Sequence, residues 1–132
     1  MAGLAPYMSL NGNAREVLGF YADVFDCEVQ LHTFEEMGRS DGPGDWIAHG
    51  YLVHDLVSLF ASDVADEAES FQARGLMFSL LGTSSPSELS KWFTKLSIDG
   101  HIIESLEKRS WGATDGQVRD RYGVHWLVGF MD

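Results

Sequence analysis

Cysteine occurs once in this sequence, at Cys27. A lone thiol excludes an intramolecular disulfide and any multi-cysteine zinc site, and a reducing, cytoplasmic setting is expected. Asp26 and Glu28 flank it, and both raise a thiol pKa, so a nucleophilic thiolate is not expected. Basic residues are scarce: nine Lys and Arg stand against twenty Asp and Glu, a net charge of −11. Nucleic-acid binding needs a basic footprint that this chain lacks. No apolar run approaches the roughly 20 residues that span a bilayer. The first residues, MAGLAPYMSLNGN, have neither a basic region nor a long apolar core, so no signal peptide is expected. Phosphate loops, dinucleotide fingerprints, nucleophile elbows and HExxH stretches are also missing.

What remains is ordinary for a globular protein: 45% of the 132 residues are hydrophobic. The acid is partly gathered in DVADEAE, residues 63 to 69, which reads as a solvated helix face or loop.

The chain reads as strand, helix and three strands, twice over. APYMSL is a short strand, and NGN a turn in which Asn11 and Asn13 can satisfy a helix N-terminus. In AREVLGFYADVF the apolar residues Ala14, Val17, Leu18, Tyr21, Val24 and Phe25 fall at helical spacing. Cys27 to Phe34 is the next strand, and MGRSDGPGD a loop. WIAHGYLV and LVSLFAS follow as strands joined by a tight turn at His54 and Asp55. A helix-prone linker covers about 64 to 75 and ends at Gly75. MFSLLG is a strand. SSPSELSKWFTKLS is a helix capped by Ser84 or Ser85, with Pro86 in its first turn and Leu89, Trp92, Phe93 and Leu96 on its buried face. HIIESLE, WGATDGQVRD and VHWLVGF complete the second set. YMSL with FY ten residues on matches MFSL with WF, so residues 7 to 30 and 77 to 103 are candidate copies. The expectation is one α+β domain over residues 1–132, with modules at about 1–63 and 76–132 joined by the 64–75 helix.

PYMSLNGNAREVLGFYADVF, WIAHGYL with LFASD, and WGATDGQVRDRYGVHWLV together resemble the vicinal oxygen chelate superfamily, which includes glyoxalases, bleomycin-resistance proteins and dioxygenases. Within it the chain looks like the PhnB-like branch. The resemblance covers almost the whole chain and implies two βαβββ modules curling into a mixed-sheet half-barrel cup, commonly completed as a homodimer, with the site in the cup. Metal-using members place His or Glu at four positions, where a divalent cation polarises substrate oxygens. Carried onto this chain, those positions fall on Pro6, Phe60, Leu76 and Leu127. None is a normal ligand, so no metal and no other cofactor is expected. The methyltransferase and phosphonate labels of that branch gain nothing here, because no nucleotide-cofactor motif is present.

Five histidines remain. His54 and His101 fall at turns and are expected to be solvated, and His32 reads as a bystander. His49 lies mid-strand, at a place where the PhnB-like branch typically has histidine. It is either a structural histidine tied to a backbone carbonyl or a general base or donor, since imidazole titrates near neutrality. Alternation puts Val124, Trp126, Val128 and Phe130 on one face of the last strand and His125, Leu127 and Gly129 on the other. It likewise sets Ser58, Phe60 and Ser62 on the cup side, opposite Val57, Leu59 and Ala61, and Met8 beside Pro6. Trp46, Tyr51 and Trp111 are candidate aromatic walls. Asp120 stands before a turn and is expected to cap it.

The expected ligand set is therefore Met8, Tyr51, Ser58, Phe60, Ser62, Trp111 and Leu127, with His49 and His125 as possible bases. An apolar floor with a few polar groups suits a compact small molecule. A metal-independent binding protein is the first expectation, and a lyase or isomerase using His49 or His125 the alternative. An acidic surface would attract cationic ligands. Neither nucleic acid nor membrane is an expected partner.

Overall fold

The computed structural model describes residues 4–72 and 74–131. The chain divides into two compact units, Met1–Gln72 and Ala73–Asp132.

The first unit runs β1 (Tyr7–Leu10), α1 (Ala14–Phe25), β2 (Glu28–Thr33), β3 (Ile47–Val53) and β4 (Phe60–Asp63). Its sheet has the order β1-β4-β3-β2, with β1 parallel to β4 and the other pairs antiparallel. The second unit repeats the plan with β5 (Met77–Leu81), α2 (Pro86–Ser97), β6 (His101–Lys108), β7 (Ala113–Arg119) and β8 (His125–Met131), ordered β5-β8-β7-β6. Two βαβββ modules, each a four-stranded mixed sheet with one helix, make the α+β fold the sequence pattern predicts.

Each helix forms because its apolar residues recur every three or four positions and need a sheet to cover them. α1 buries Ala14, Val17, Leu18, Tyr21, Val24 and Phe25, and α2 buries Leu89, Trp92, Phe93 and Leu96. In the first sheet Met8, Leu10, Leu52 and Ala61 are buried; in the second, Leu80, Val118, Trp126 and Val128. Burial of such a side chain contributes about 1.5–3 kcal/mol.

The two helix starts are satisfied differently. At α2 the Ser85 Oγ accepts the Glu88 N–H at 3.1 Å, and Pro86 opens the helix. At α1, Asn13 holds the cap position without a side-chain cap bond. Asp63 takes its place: Oδ1 accepts the Ala14 N–H at 2.9 Å, and Oδ2 accepts the Ile47 N–H at 2.8 Å. Asn11 instead donates to the carbonyls of Val64 and Ala65.

The linker helix expected over 64–75 is reduced, among the described residues, to a 3-10 turn at Glu67–Glu69, started by the Asp66 carboxylate. Backbone bonding to the edge of β1 competes with helix here. The Val64 N–H donates to the Leu10 carbonyl and the Phe71 N–H to the Ser9 carbonyl, both at 2.6 Å. The tight turn expected at His54 and Asp55 is a six-residue connection between β3 and β4. His54 is not merely solvated there, since its Nδ1 accepts the N–H groups of Leu56 and Val57.

Asp120 fills the predicted capping role. It is buried at 3% exposure. Oδ1 accepts the Tyr122 and Val124 N–H groups, and Oδ2 accepts the Trp126 indole N–H at 2.9 Å. No described helix is long and apolar enough to cross a membrane.

Candidate functional site

Strand pairing decides which side chains share the face of the first sheet opposite α1. Tyr7 pairs with Phe60 and Ser9 with Ser62. Tyr51 pairs with Phe60, and His32 with His49. Paired residues project to one side, so Tyr7, His49, Tyr51, Phe60, Ser62 and His32 share that face. Met8 pairs with Ala61 and is 2% exposed. Its expected place on the open face is therefore wrong by one residue: Met8 belongs to the core under α1, and Tyr7 takes the open position. Nor does Pro6 face Phe60. Its carbonyl accepts the Phe60 N–H at 3.1 Å, and Tyr7 is the ring alongside Phe60.

The open face carries a row of rings. Tyr7 and Phe60 stack with centroids 5.9 Å apart and planes 7° apart. His49 and Phe60 are 5.7 Å and 23° apart, and His32 and His49 6.3 Å and 10°. Tyr51 is tilted against both Phe60 and His49, at 5.8 and 5.5 Å. The row arises because four adjacent strands each contribute an aromatic or imidazole ring at cross-strand contact distance.

The Tyr7 hydroxyl and His49 Nδ1 lie 2.8 Å apart, within hydrogen-bonding distance. The polar partner of His49 is thus a phenol from β1, not a backbone carbonyl. Tyr7 was not among the residues singled out from the sequence. At one flank the loop residue Arg39 lies with Cζ 3.8 Å from the Phe34 ring centroid and pairs with Asp41 at 2.7 Å. Ser58 precedes β4 on the same side as Phe60 by alternation and is exposed.

In the second unit, His125, Leu127 and Gly129 share the face opposite α2, while Val124, Trp126 and Val128 are buried. His125 Nε2 lies 2.8 Å from the Gln117 Oε1. A carboxamide oxygen only accepts, so the ring nitrogen donates. Leu127 sits between Ser79 and Gln117 on that face. Trp111, expected as an aromatic wall, lies in the β6–β7 connection outside any strand and is 70% exposed. Beside it Arg109 donates to the Asp115 carboxylate and carbonyl, both at 2.8 Å, and to the Ser105 carbonyl. Asp115 holds its guanidinium above the ordinary range.

Among the hollows formed by the described residues are two of note. One of about 250 Å³ lies among Leu81, Asp115, Gly129 and Met131. The other, of about 340 Å³, lies at the start of α1 among Asn13, Arg15, Asp45, Trp46 and Asp63. Neither is lined by histidine.

The metal implied by the resemblance needs three or four converging ligands. Among the described residues no group of three His, Cys, Asp or Glu converges in that way. Pro6, Phe60, Leu76 and Leu127 offer no donor side chain, so these residues do not fit a catalytic metal. Cys27 is half-buried. Burial first, and then Asp26, push its thiol pKa up.

No family model matches the chain. Protein YjdN of Escherichia coli strain K12 is 26% identical over an alignment of 136 positions, covering 95% of this chain and 92% of that one. The crystal structure of protein PA1353 from Pseudomonas aeruginosa superposes with a TM-score of 0.78 at 29% identity, covering 99% and 98% of the two chains. A PhnB protein from Bacillus cereus, described as a putative 3-demethylubiquinone-9 3-methyltransferase, superposes at 0.79 with 20% identity, covering 98% and 99%. These likenesses support a PhnB-like fold.

Proposed function

We propose that the protein binds a compact small molecule, without a metal, on the open face of its first sheet. One observation carries this reading: a Tyr7–His49 hydrogen bond set within a row of rings that includes Phe60, Tyr51 and His32. An apolar platform with one or two fixed polar groups is the usual composition of a small-ligand site. The neighbouring Ser62 and Ser58 add hydroxyls on the same side. A PhnB-like, glyoxalase-type fold is compatible with such a role but does not assign it. The expected homodimer and a cytoplasmic location belong to the same proposal.

A thermal-shift screen of a small-molecule library tests it. A ligand at 100 times its dissociation constant should stabilise the fold by about 2.7 kcal/mol. That shift should disappear in Phe60→Ala and in His49→Ala. A ligand whose shift survives both changes binds elsewhere and defeats the reading.

A second reading, a lyase or isomerase with an imidazole base, has its own support. In His125 the ring is held through Nε2 by Gln117 at 2.8 Å, which orients it and leaves Nδ1 as the proton acceptor. The His49 ring is held by Tyr7 at 2.8 Å, and there Nδ1 accepts a proton only by way of the Tyr7 hydroxyl. Turnover that persists in both His49→Ala and His125→Ala would remove it.

A further inference from the structure

We infer that the ligand of this face is an uncharged, planar, electron-rich aromatic compound bearing a hydrogen-bond acceptor, and not a cation. The inference rests on the binding site proposed above and names its ligand class.

The argument starts from the ring faces. An aromatic ring attracts cations at its face, within about 6 Å of the centroid. Phe60, in the middle of the row, has Tyr7 on the β1 side and His49 with Tyr51 on the β3 side. Near-parallel rings therefore flank it on both sides. Side chains stand roughly perpendicular to a sheet, so a molecule lying on this surface meets ring edges. The edges carry the positive end of the ring quadrupole and prefer the π face of another aromatic, at centroid separations of about 4.5–7 Å. Rings 5.7–6.3 Å apart also leave no slot for a planar group to insert between them. An electron-rich ring laid across the row is the arrangement these edges favour.

The polar group sets the second requirement. Among the described residues the Tyr7 hydroxyl has no other hydrogen-bond partner than His49 Nδ1. A phenol is a stronger proton donor than a neutral imidazole, so Tyr7 donates and Nδ1 accepts. The proton of neutral His49 then sits on Nε2. His49 offers the ligand an N–H, which demands an acceptor such as a carbonyl oxygen. Charge sets the third. Arg39, at the Phe34 flank of the row, is paired with Asp41 at 2.7 Å. An anion would be repelled by the chain's net charge of −11. These features favour an uncharged aryl ketone or a similar aryl carbonyl compound.

The test uses the full chain and two probes of similar size, 4-methoxyacetophenone and phenyltrimethylammonium. Binding is followed by NMR through the His49 and Tyr7 ring resonances. The ketone should bind at least 10-fold more tightly, shift both residues, and weaken at least 10-fold in Phe60→Leu, which keeps an apolar core-sized side chain. Tyr7→Phe keeps the ring and removes only the hydroxyl, and it should weaken the ketone several-fold. The ¹⁵N shifts of neutral His49 should report the proton on Nε2. Tighter binding of the ammonium probe at these same resonances, or a proton on Nδ1, overturns the inference while leaving the site intact. If neither probe moves His49 or Tyr7, the inference fails, and the library screen decides the underlying site by itself.

Discussion

The Oδ1 atom of Asp63, the last residue of β4, accepts the backbone N–H of Ala14, the first residue of α1, at 2.9 Å. Its second oxygen takes the Ile47 N–H at the start of β3. A single carboxylate, 1% exposed, thus ties three elements of the first unit. Hydrogen bonds to a charged group contribute about 1.5–3 kcal/mol each, and a buried donor left unmet costs a similar amount. Asp63→Ala is expected to lower stability by about 3 kcal/mol in denaturant unfolding. Asp63→Asn keeps one acceptor and should lose less. Equal, small losses for the two would show that water replaces the carboxylate.

Asp63 also shows what the sequence hides. It opens the acidic run DVADEAE, which reads as solvated, and only one member is buried. The signal was present: Val57, Leu59 and Ala61 alternate into the core, and the same step of two lands on Asp63. The helices were legible because α1 and α2 each carry an unbroken apolar stripe. Alternation also placed Phe60, His125 and Leu127 on open faces. It failed at β1, where Tyr7, Met8 and Leu10 are all apolar within four residues and either parity fits. Tyr7 was missed for the same reason, since its partner at Nδ1 of His49 is 42 residues away. The short 3-10 turn at Glu67–Glu69 replaced a helix because edge bonding to Ser9 and Leu10 leaves no local sequence trace.

Gly116 lies where β6 and β7 cross at an irregular register, flanked by shifts between Ile102 and Glu104 and between Glu104 and Glu107. A Cβ there would stand 2.9 Å from the Leu106 Cα and N and from the Glu104 carbonyl oxygen. Backbone cannot rotate aside as a side chain can. At Gly50 the comparable contacts are with the methyl ends of Leu18, Leu31 and Ile47. Gly116→Ala should therefore cost about 1–3 kcal/mol, within the range for overpacking, and more than Gly50→Ala. Melting curves of the two variants decide it; the reverse order would mean that β6 shifts freely.

Cys27 should be a slow thiol. Burial and the Asp26 carboxylate raise its pKa, against a smaller opposing effect of a hydrogen bond at the Val53 backbone. The folded state then keeps its proton at pH values where the unfolded chain has begun to lose it. The associated stability is present below the unfolded thiol pKa and is lost as pH rises through the folded one. Alkylation by iodoacetamide at pH 7 should be slower in the native protein than in denaturant, and should accelerate at a higher pH. Native reactivity equal to that of the unfolded chain would contradict this.

The metal question comes down to donor atoms. Zinc, nickel or manganese would need at least three of the four family positions to carry a nitrogen, oxygen or sulfur donor. Pro6, Phe60, Leu76 and Leu127 carry none, and the paired nitrogens of His49 and His125 face Tyr7 and Gln117. A slip of one residue along a strand does not restore a site, because it moves the side chain to the opposite face. At β1 the observed slip exchanges Pro6 for Tyr7, whose hydroxyl is already bonded to His49. Purified protein should hold these metals well below one equivalent, and EDTA should leave its melting temperature unchanged. One equivalent retained through dialysis, with a melting temperature that falls on chelation, would place a site outside these four positions.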